Sequence, residues 1–358
     1  MSKEKPAYLQ LYEALREEIV AGAWSCGARL PSRRQMARDR GVSVVTVEHS
    51  YELLCQEGYA EARPRSGFFV VYREADGLLP APSLPRSPAP VTARAETANA
   101  FPFSVLARTM RRVLSEYGEG ILQKSPNAGM DELRLAIARY LARNRGMRVE
   151  AGQIVIGSGA EYLYGLVVEM LGRKRGYAIE CPSYEKIEQV YRAQGITCDL
   201  LPLDSDGIRT DALMATAASV LHITPYRSFP SGVTASASKR REYIRWAEKN
   251  DRYIVEDDFE SEFSLLRKPE ETVFSQSKKE NVIYLNTFTR TISPAIRVGY
   301  MVLPARLIPL FSRTVGFYSC TVPAFEQYVL AQLMDNGDFE RHINRIRRME
   351  RRKLSGKT

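Results

Sequence analysis

The sequence has no apolar run approaching the roughly 20 residues that a membrane-spanning helix needs, and its N-terminus MSKEKPAYLQ lacks the apolar core of a signal peptide. A cytoplasmic location is the expectation. The five cysteines, Cys26, Cys55, Cys181, Cys198 and Cys320, are odd in number, widely spaced and without a C-x-x-C pair, which argues against a disulfide framework or a zinc site. Histidine is scarcer still, and His49, His222 and His342 are too scattered to support metal chemistry, so no metal is expected. No internal repeat is present. With 44% hydrophobic and 26% charged residues, the composition excludes disorder over most of the chain, and 358 residues suffice for two domains.

A formal net charge of +9 suggests an acidic partner, but its distribution matters more than its sum. Residues 1–72 hold 10 Lys/Arg against 9 Asp/Glu, a net of +1, whereas residues 340–358 hold 8 against 2, a net of +6. The basic tail HINRIRRMERRKLSGKT reads as a solvated helix face in preference to a DNA or partner contact. Placement of the basic residues, and not the net charge, therefore decides whether this chain can hold nucleic acid.

The first 72 residues read as three helices and a hairpin. Tyr8, Leu11, Leu15 and Ile19 recur at helical spacing, with Gly22 as a stop. Ser32 precedes Gln35 as a capping box and opens a short helix that Gly41 ends. Ser43 then caps a third helix, whose Val47, Tyr51 and Leu54 are expected inward and Thr46, His49 and Ser50 outward. Two helices joined by a glycine-containing turn make a helix-turn-helix. Residues 59–63 and 68–71, joined by Pro64-Arg65-Ser66-Gly67, form a two-stranded wing with a basic tip. The second helix of such a motif enters the major groove. Ser43, Thr46 and His49 are accordingly the groove-facing candidates, with Arg33, Arg34, Arg40, Arg63 and Arg65 gripping phosphate, although arginines in these numbers also furnish an ordinary solvated surface.

Residues 73–100 carry Pro80, Pro82, Pro85, Pro88 and Pro90 among Ala and Ser, the composition of an extended linker. From residue 101 to 358, strand-like runs at Gln153–Ile156, Tyr177–Glu180, Val220–Ile223, Tyr253–Glu256 and Val282–Leu285 alternate with helical patterns. That alternation predicts an α/β fold with a mostly parallel sheet covered by helices. Ile154-Val155-Ile156-Gly157-Ser158-Gly159-Ala160 has the form of a turn that offers backbone N–H groups and a helix N-terminus to an anion, though such turns also merely connect a strand to a helix. Tyr253-Ile254-Val255 runs into Glu256, Asp257 and Asp258, carboxylates at the strand end where open α/β sheets bind ligands.

Two resemblances follow. The stretch LYEALREEIVAGAWSCGARLPSRRQMARDRGVSVVTVEHSYELLCQEGYAEARPRSGFFV resembles the winged helix-turn-helix of the GntR family over residues 8–71, with Val44 where the family usually has an arginine. SPNAGMDELRLAIARYLARNRGM, QIVIGSGAEYLYGL, ECPSY, TPYRSFPSGVTAS, YIVEDDFESEF and VIYLNTFTRTISPAIRVGYMVLP, in that order over about residues 101–350, resemble the fold-type I aminotransferase domain of its MocR subgroup. The resemblance implies a three-layer α/β/α domain, a homodimer and pyridoxal phosphate at its interface. It assigns Ser158, Gly159, Ala160 and Arg297 to the phosphate, Tyr184 to packing on the ring and Asp257 to the ring nitrogen. It also implies a small C-terminal domain that would follow Thr358.

Three positions depart from the resembled pattern. Where the family has TFSK, whose lysine attaches the cofactor, this chain has TFTR, so Arg290 stands at the attachment point. A guanidinium with a pKa of roughly 12 or above does not condense with an aldehyde or serve as the proton-moving base. Phe259 lacks the hydroxyl of the usual tyrosine, and Arg227-Ser228 replace a His-Gln pair. The expected function is a DNA-binding transcription regulator whose aminotransferase-like domain performs no catalysis and serves dimerisation or the sensing of a small phosphorylated or acidic effector, with the cofactor bound non-covalently or not at all. A residual pyridoxal-phosphate enzyme and a purely structural dimerisation protein are the alternatives.

Overall fold

The computed structural model describes residues 5–73, 101–249, 251–265 and 271–356, so the expected linker lies outside the described residues beyond Arg73. The chain divides into two compact units, Met1–Arg94 and Ala95–Thr358.

In the first unit, α1 (Ala7–Val20), α2 (Arg33–Arg40) and α3 (Val44–Gln56) precede the hairpin β1 (Ala60–Arg63) and β2 (Gly67–Val70). The caps are those the sequence spacing predicts: the Ser32 hydroxyl accepts from the Gln35 N–H and the Ser43 hydroxyl from the Thr46 N–H. Gly41 ends α2 in the left-handed conformation, φ 66°, which a glycine adopts without steric cost. Leu11, Leu15, Ile19, Val47, Tyr51 and Leu54 close one core. Each such Leu or Ile contributes roughly 1.5–3 kcal/mol of burial free energy. Tyr8 lies in α1 as its spacing predicts, 37% exposed and edge-on to His49 at 5.8 Å, with Tyr12 buried beside Leu11 and Leu15. One expectation fails here. Ser50, expected outward, is fully buried and its hydroxyl donates to the Tyr8 and Thr46 carbonyls at 2.8 Å each. Positions 47, 50, 51 and 54 share one helical stripe, so Ser50 faces the core and satisfies its hydroxyl by bonding backbone.

The second unit runs α4 (Phe103–Tyr117), α5 (Asp131–Asn144), β3 (Ile154–Gly157), α6 (Ala160–Leu171), β4 (Tyr177–Cys181), α7 (Glu185–Ala193), β5 (Cys198–Asp204), β6 (Gly207–Ile208), α8 (Thr210–Ala215), β7 (Val220–Ile223), α9 (Ala237–Ala247), β8 (Tyr253–Asp257), α10 (Val273–Gln276), β9 (Val282–Thr287), β10 (Gly299–Val302), α11 (Ile308–Thr314), α12 (Ala324–Asp335) and α13 (Asp338–Leu354). Its sheet has the order β3-β10-β9-β8-β7-β4-β5-β6. β9, β8, β7, β4 and β5 pair in parallel, β10 is antiparallel to both neighbours, and β6 is antiparallel to β5. The five expected strands form within one or two residues of their bounds. β5 and β6 escaped the sequence reading because they lack the uniform apolar run of a central strand, whereas β10 has such a run, buried at every position, and was not singled out.

Side chains alternate across this sheet. Val155, Tyr253, Val255, Ile283 and Leu285 enter one core, while Ile154, Ile156, Ile254, Val282 and Tyr284 enter those on the other face. Both faces are thus covered, as a parallel sheet requires. The basic C-terminal segment forms α13, which buries Phe339, His342, Ile343 and Ile346 while most of its arginines lie on the outer face. Among the described residues, no helix is long and apolar enough to cross a membrane.

Candidate functional site

At the start of α3 and along α2, Arg33, Arg34, Arg40, Ser43 and His49 are exposed and Thr46 is half-buried. Ser43 and Thr46 are occupied with each other, their hydroxyl oxygens 2.8 Å apart, so capping claims both. Arg33 pairs with Glu48, and Arg40 with Glu18 at 2.5 Å. On the wing, Arg63 bonds Glu61 at 2.6 Å and stacks over Phe69 at 4.4 Å. Arg65 occupies the hairpin tip with φ 61°. Sequence reasoning missed Arg29, which is exposed, bridges to Phe69 and lies against Gly67 of the wing. Its signal was its place just before the buried Leu30.

A cavity of about 420 Å³ opens at the carboxyl edge of the parallel strands, where β8 and β9 end in Asp257 and Thr287 and Thr224 directly follows β7. Of the three consecutive carboxylates only Asp257 enters it. Strand alternation sends Glu256 and Asp258 to the opposite face, where Glu256 accepts the Val273 and Phe274 N–H groups at 2.8 Å each and caps α10. Asp258 takes a buried ion pair from Arg145 at 2.5 Å and the Tyr284 hydroxyl at 2.7 Å.

Asp257 is 4% exposed. The Tyr164 hydroxyl donates to its Oδ2, and His222 Nε2 lies 3.8 Å from the same oxygen, with the His222 ring held by Tyr191 at 2.7 Å. Burial, reinforced by the charge of Asp257, raises the Tyr164 hydroxyl well above its usual range and keeps it a donor. Asp257 Oδ1 is buried and has no hydrogen-bond partner among the described residues. A buried acceptor at a cavity wall calls for a donor from a ligand, and a protonated ring nitrogen would supply one. At the other predicted contact, Gly159 adopts φ 98°, and a Cβ there would come within 3.0 Å of the Arg297 guanidinium. That guanidinium pairs with Glu161 at the first turn of α6, and Lys186 joins the same carboxylate at 2.8 Å. Ala160 lines the cavity, whereas Ser158 does not and gives its backbone N–H to Thr321 at 3.1 Å. Tyr184 stands half-exposed on the rim, edge-on to Phe229 at 6.2 Å.

The three departures meet here. Arg290 and Phe259 line the cavity, and Arg290 pairs with Glu260 at 2.8 Å. Arg227 approaches the other oxygen of Glu260 at 3.8 Å. Glu260, Glu161, Tyr164 and Phe229 were not singled out from sequence. The first two were legible only as charges beside motif positions.

Next to the site, Ser228 donates to the fully buried Glu180 at 2.5 Å. Burial pushes the Glu180 carboxyl up to about 8, against the hydrogen bonds from Ser228 and from the Thr224 backbone. A carboxyl raised on folding takes up a proton, so its stabilisation is complete below the ordinary value near 4.5 and is lost as pH rises through about 8. Glu180→Gln should remove that loss. Between about pH 5 and about pH 9 the wild-type Tm is expected to fall several degrees further than the variant's, and equal slopes would contradict the assignment.

Comparison with known proteins agrees with both units. Residues 7–70 match the family of bacterial regulatory proteins, gntR family, and residues 97–354 match aminotransferase class I and II. The chain is 30% identical to the HTH-type transcriptional regulator YdeL of Bacillus subtilis (strain 168), over 97% of this chain and 77% of that protein. It is equally 30% identical to the probable rhizopine catabolism regulatory protein MocR of Rhizobium meliloti, over 98% of this chain and 76% of the relative. The kynurenine aminotransferase of Pyrococcus horikoshii shares the second unit's fold at 25% identity and TM-score 0.63, covering 69% of this chain and 64% of that structure. The chain thus spans less than two thirds of the solved aminotransferase. Helix-turn-helix and aminotransferase-like domain occur here in one chain, as in those regulators, and the protein belongs to the GntR family of bacterial transcription regulators, in its MocR-like branch.

Proposed function

We propose that the protein is a cytoplasmic, homodimeric regulator that binds an operator through α3 and the wing, and that its aminotransferase-like domain holds a small phosphorylated ligand without transaminating it. The observation that carries this reading is Arg290 on the cavity wall, paired with Glu260 at 2.8 Å at the position matched to the attachment lysine. A guanidinium stays protonated and its lone pairs are delocalised, so it neither forms the covalent link nor accepts the substrate proton. Pyridoxal phosphate, when bound, supplies an electron sink to amino-acid chemistry. Of this chain's residues, Arg297, Gly159 and Ala160 would hold its phosphate, and Asp257 Oδ1 would receive the ring N–H. Tyr184 would cover the ring. Held in this way, a ligand contributes binding energy to one arrangement of the dimer over another, and this is what a sensor requires.

The test uses the purified full chain, its own upstream DNA and pyridoxal phosphate. A mobility shift of that DNA is expected, together with no borohydride-reducible absorbance band from added cofactor. Arg290→Lys restores an amine at the cavity wall and should gain the band. A reducible band in the wild-type protein would defeat the non-covalent reading, and absence of any shift would defeat the operator reading.

A further inference from the structure

Two clamps of the same design each place one arginine and one glutamate, Arg297 with Glu161 and Arg290 with Glu260, in the cavity wall. In each, two cationic side chains converge on one glutamate: Arg297 and Lys186 on Glu161, Arg290 and Arg227 on Glu260. A guanidinium has five N–H donors, more than a shared carboxylate satisfies, so each clamp retains capacity for a further anion. In the same wall is the unpartnered Oδ1 of Asp257, which calls for a donor. Two anion positions and one donor position define the ligand's charge pattern. Arg290 is thereby more than a lost lysine.

We infer that Arg290 reads a carboxylate, and that the ligand is a phosphorylated heteroaromatic acid: phosphate at Arg297, a protonated ring nitrogen at Asp257 and a carboxylate at Arg290, with Glu161 and Glu260 as the internal anions it competes with. The inference rests on the phosphate-site reading proposed above. An aldehyde or hydroxymethyl group offers Arg290 a neutral acceptor, whereas a carboxylate offers charge-assisted and bidentate hydrogen bonds. The Arg290 side chain is 59% exposed, so solvent screening limits the preference to about tenfold.

Calorimetric titration of the full chain tests this with two probes, pyridoxine 5′-phosphate and 4-pyridoxic acid 5′-phosphate, which differ only in hydroxymethyl against carboxylate. The acid should bind about tenfold more tightly to the wild type. Arg290→Gln should abolish that preference, weakening the acid about tenfold more than pyridoxine 5′-phosphate, and an unchanged Tm would show the variant folded. Equal affinities in the wild type, or a preference that survives Arg290→Gln, would overturn the carboxylate role and leave the phosphate site standing. Failure of both probes to bind the wild type would overturn the inference and the phosphate-site reading together.

Discussion

Arg145→Met is expected to lower the Tm of the aminotransferase-like unit by roughly 10 °C, corresponding to about 3–5 kcal/mol. Arg145 and Asp258 are 6% and 4% exposed at their side chains and meet at 2.5 Å beneath the end of β8. Removing the cation leaves the buried carboxylate, among the described residues, with the Tyr284 hydroxyl as its hydrogen-bond donor, and the cost is that of stripping an interior charge of its ion pair. Adding Asp258→Asn removes the stranded charge and should recover much of the loss. Thermal unfolding of both proteins measures this, and a single variant within about 1 kcal/mol of wild type would show that the pair is not needed. Because Asp258 follows Asp257 in sequence, the same variant should also weaken any ligand that depends on Asp257.

For Arg33→Ala combined with Arg34→Ala, operator affinity should drop by about 10- to 100-fold at physiological salt, and the log–log salt slope should become shallower by about 2. Both residues are exposed at the first turn of α2. Arg33 already pairs with Glu48, an exposed contact with a median worth near zero to 1 kcal/mol, so phosphate competes for it readily. Neither side chain enters the core, which separates a DNA effect from a folding one. Anisotropy titrations at several salt concentrations decide the matter. An unaltered slope would remove these arginines from the phosphate contacts.

Much of the winged helix was legible because its rules are local. Ser32 and Ser43 cap helices through groups three residues away, and Val47, Tyr51 and Leu54 follow from helical period alone. Ser50 was misread because its polarity was weighed above its stripe. The same local logic located Asp257 at a strand end but could not rank it against Glu256 and Asp258, since the face each one meets depends on what covers the sheet.

By itself, then, the sequence determined that a helix-turn-helix precedes an α/β unit, and that position 290 carries a side chain unable to condense with an aldehyde. Those facts are set by spacing and by the chemistry of single residues. Only the tertiary structure decided that Arg290 and Arg227, 63 positions apart by number, converge on Glu260, that Asp257 keeps an unpartnered oxygen, and that Arg145 neutralises Asp258 from 113 residues away. A buried charge such as Asp258 needs a partner wherever the fold supplies one, and which chain segments meet at a cavity rim is set by sheet order, so sequence separation enters neither.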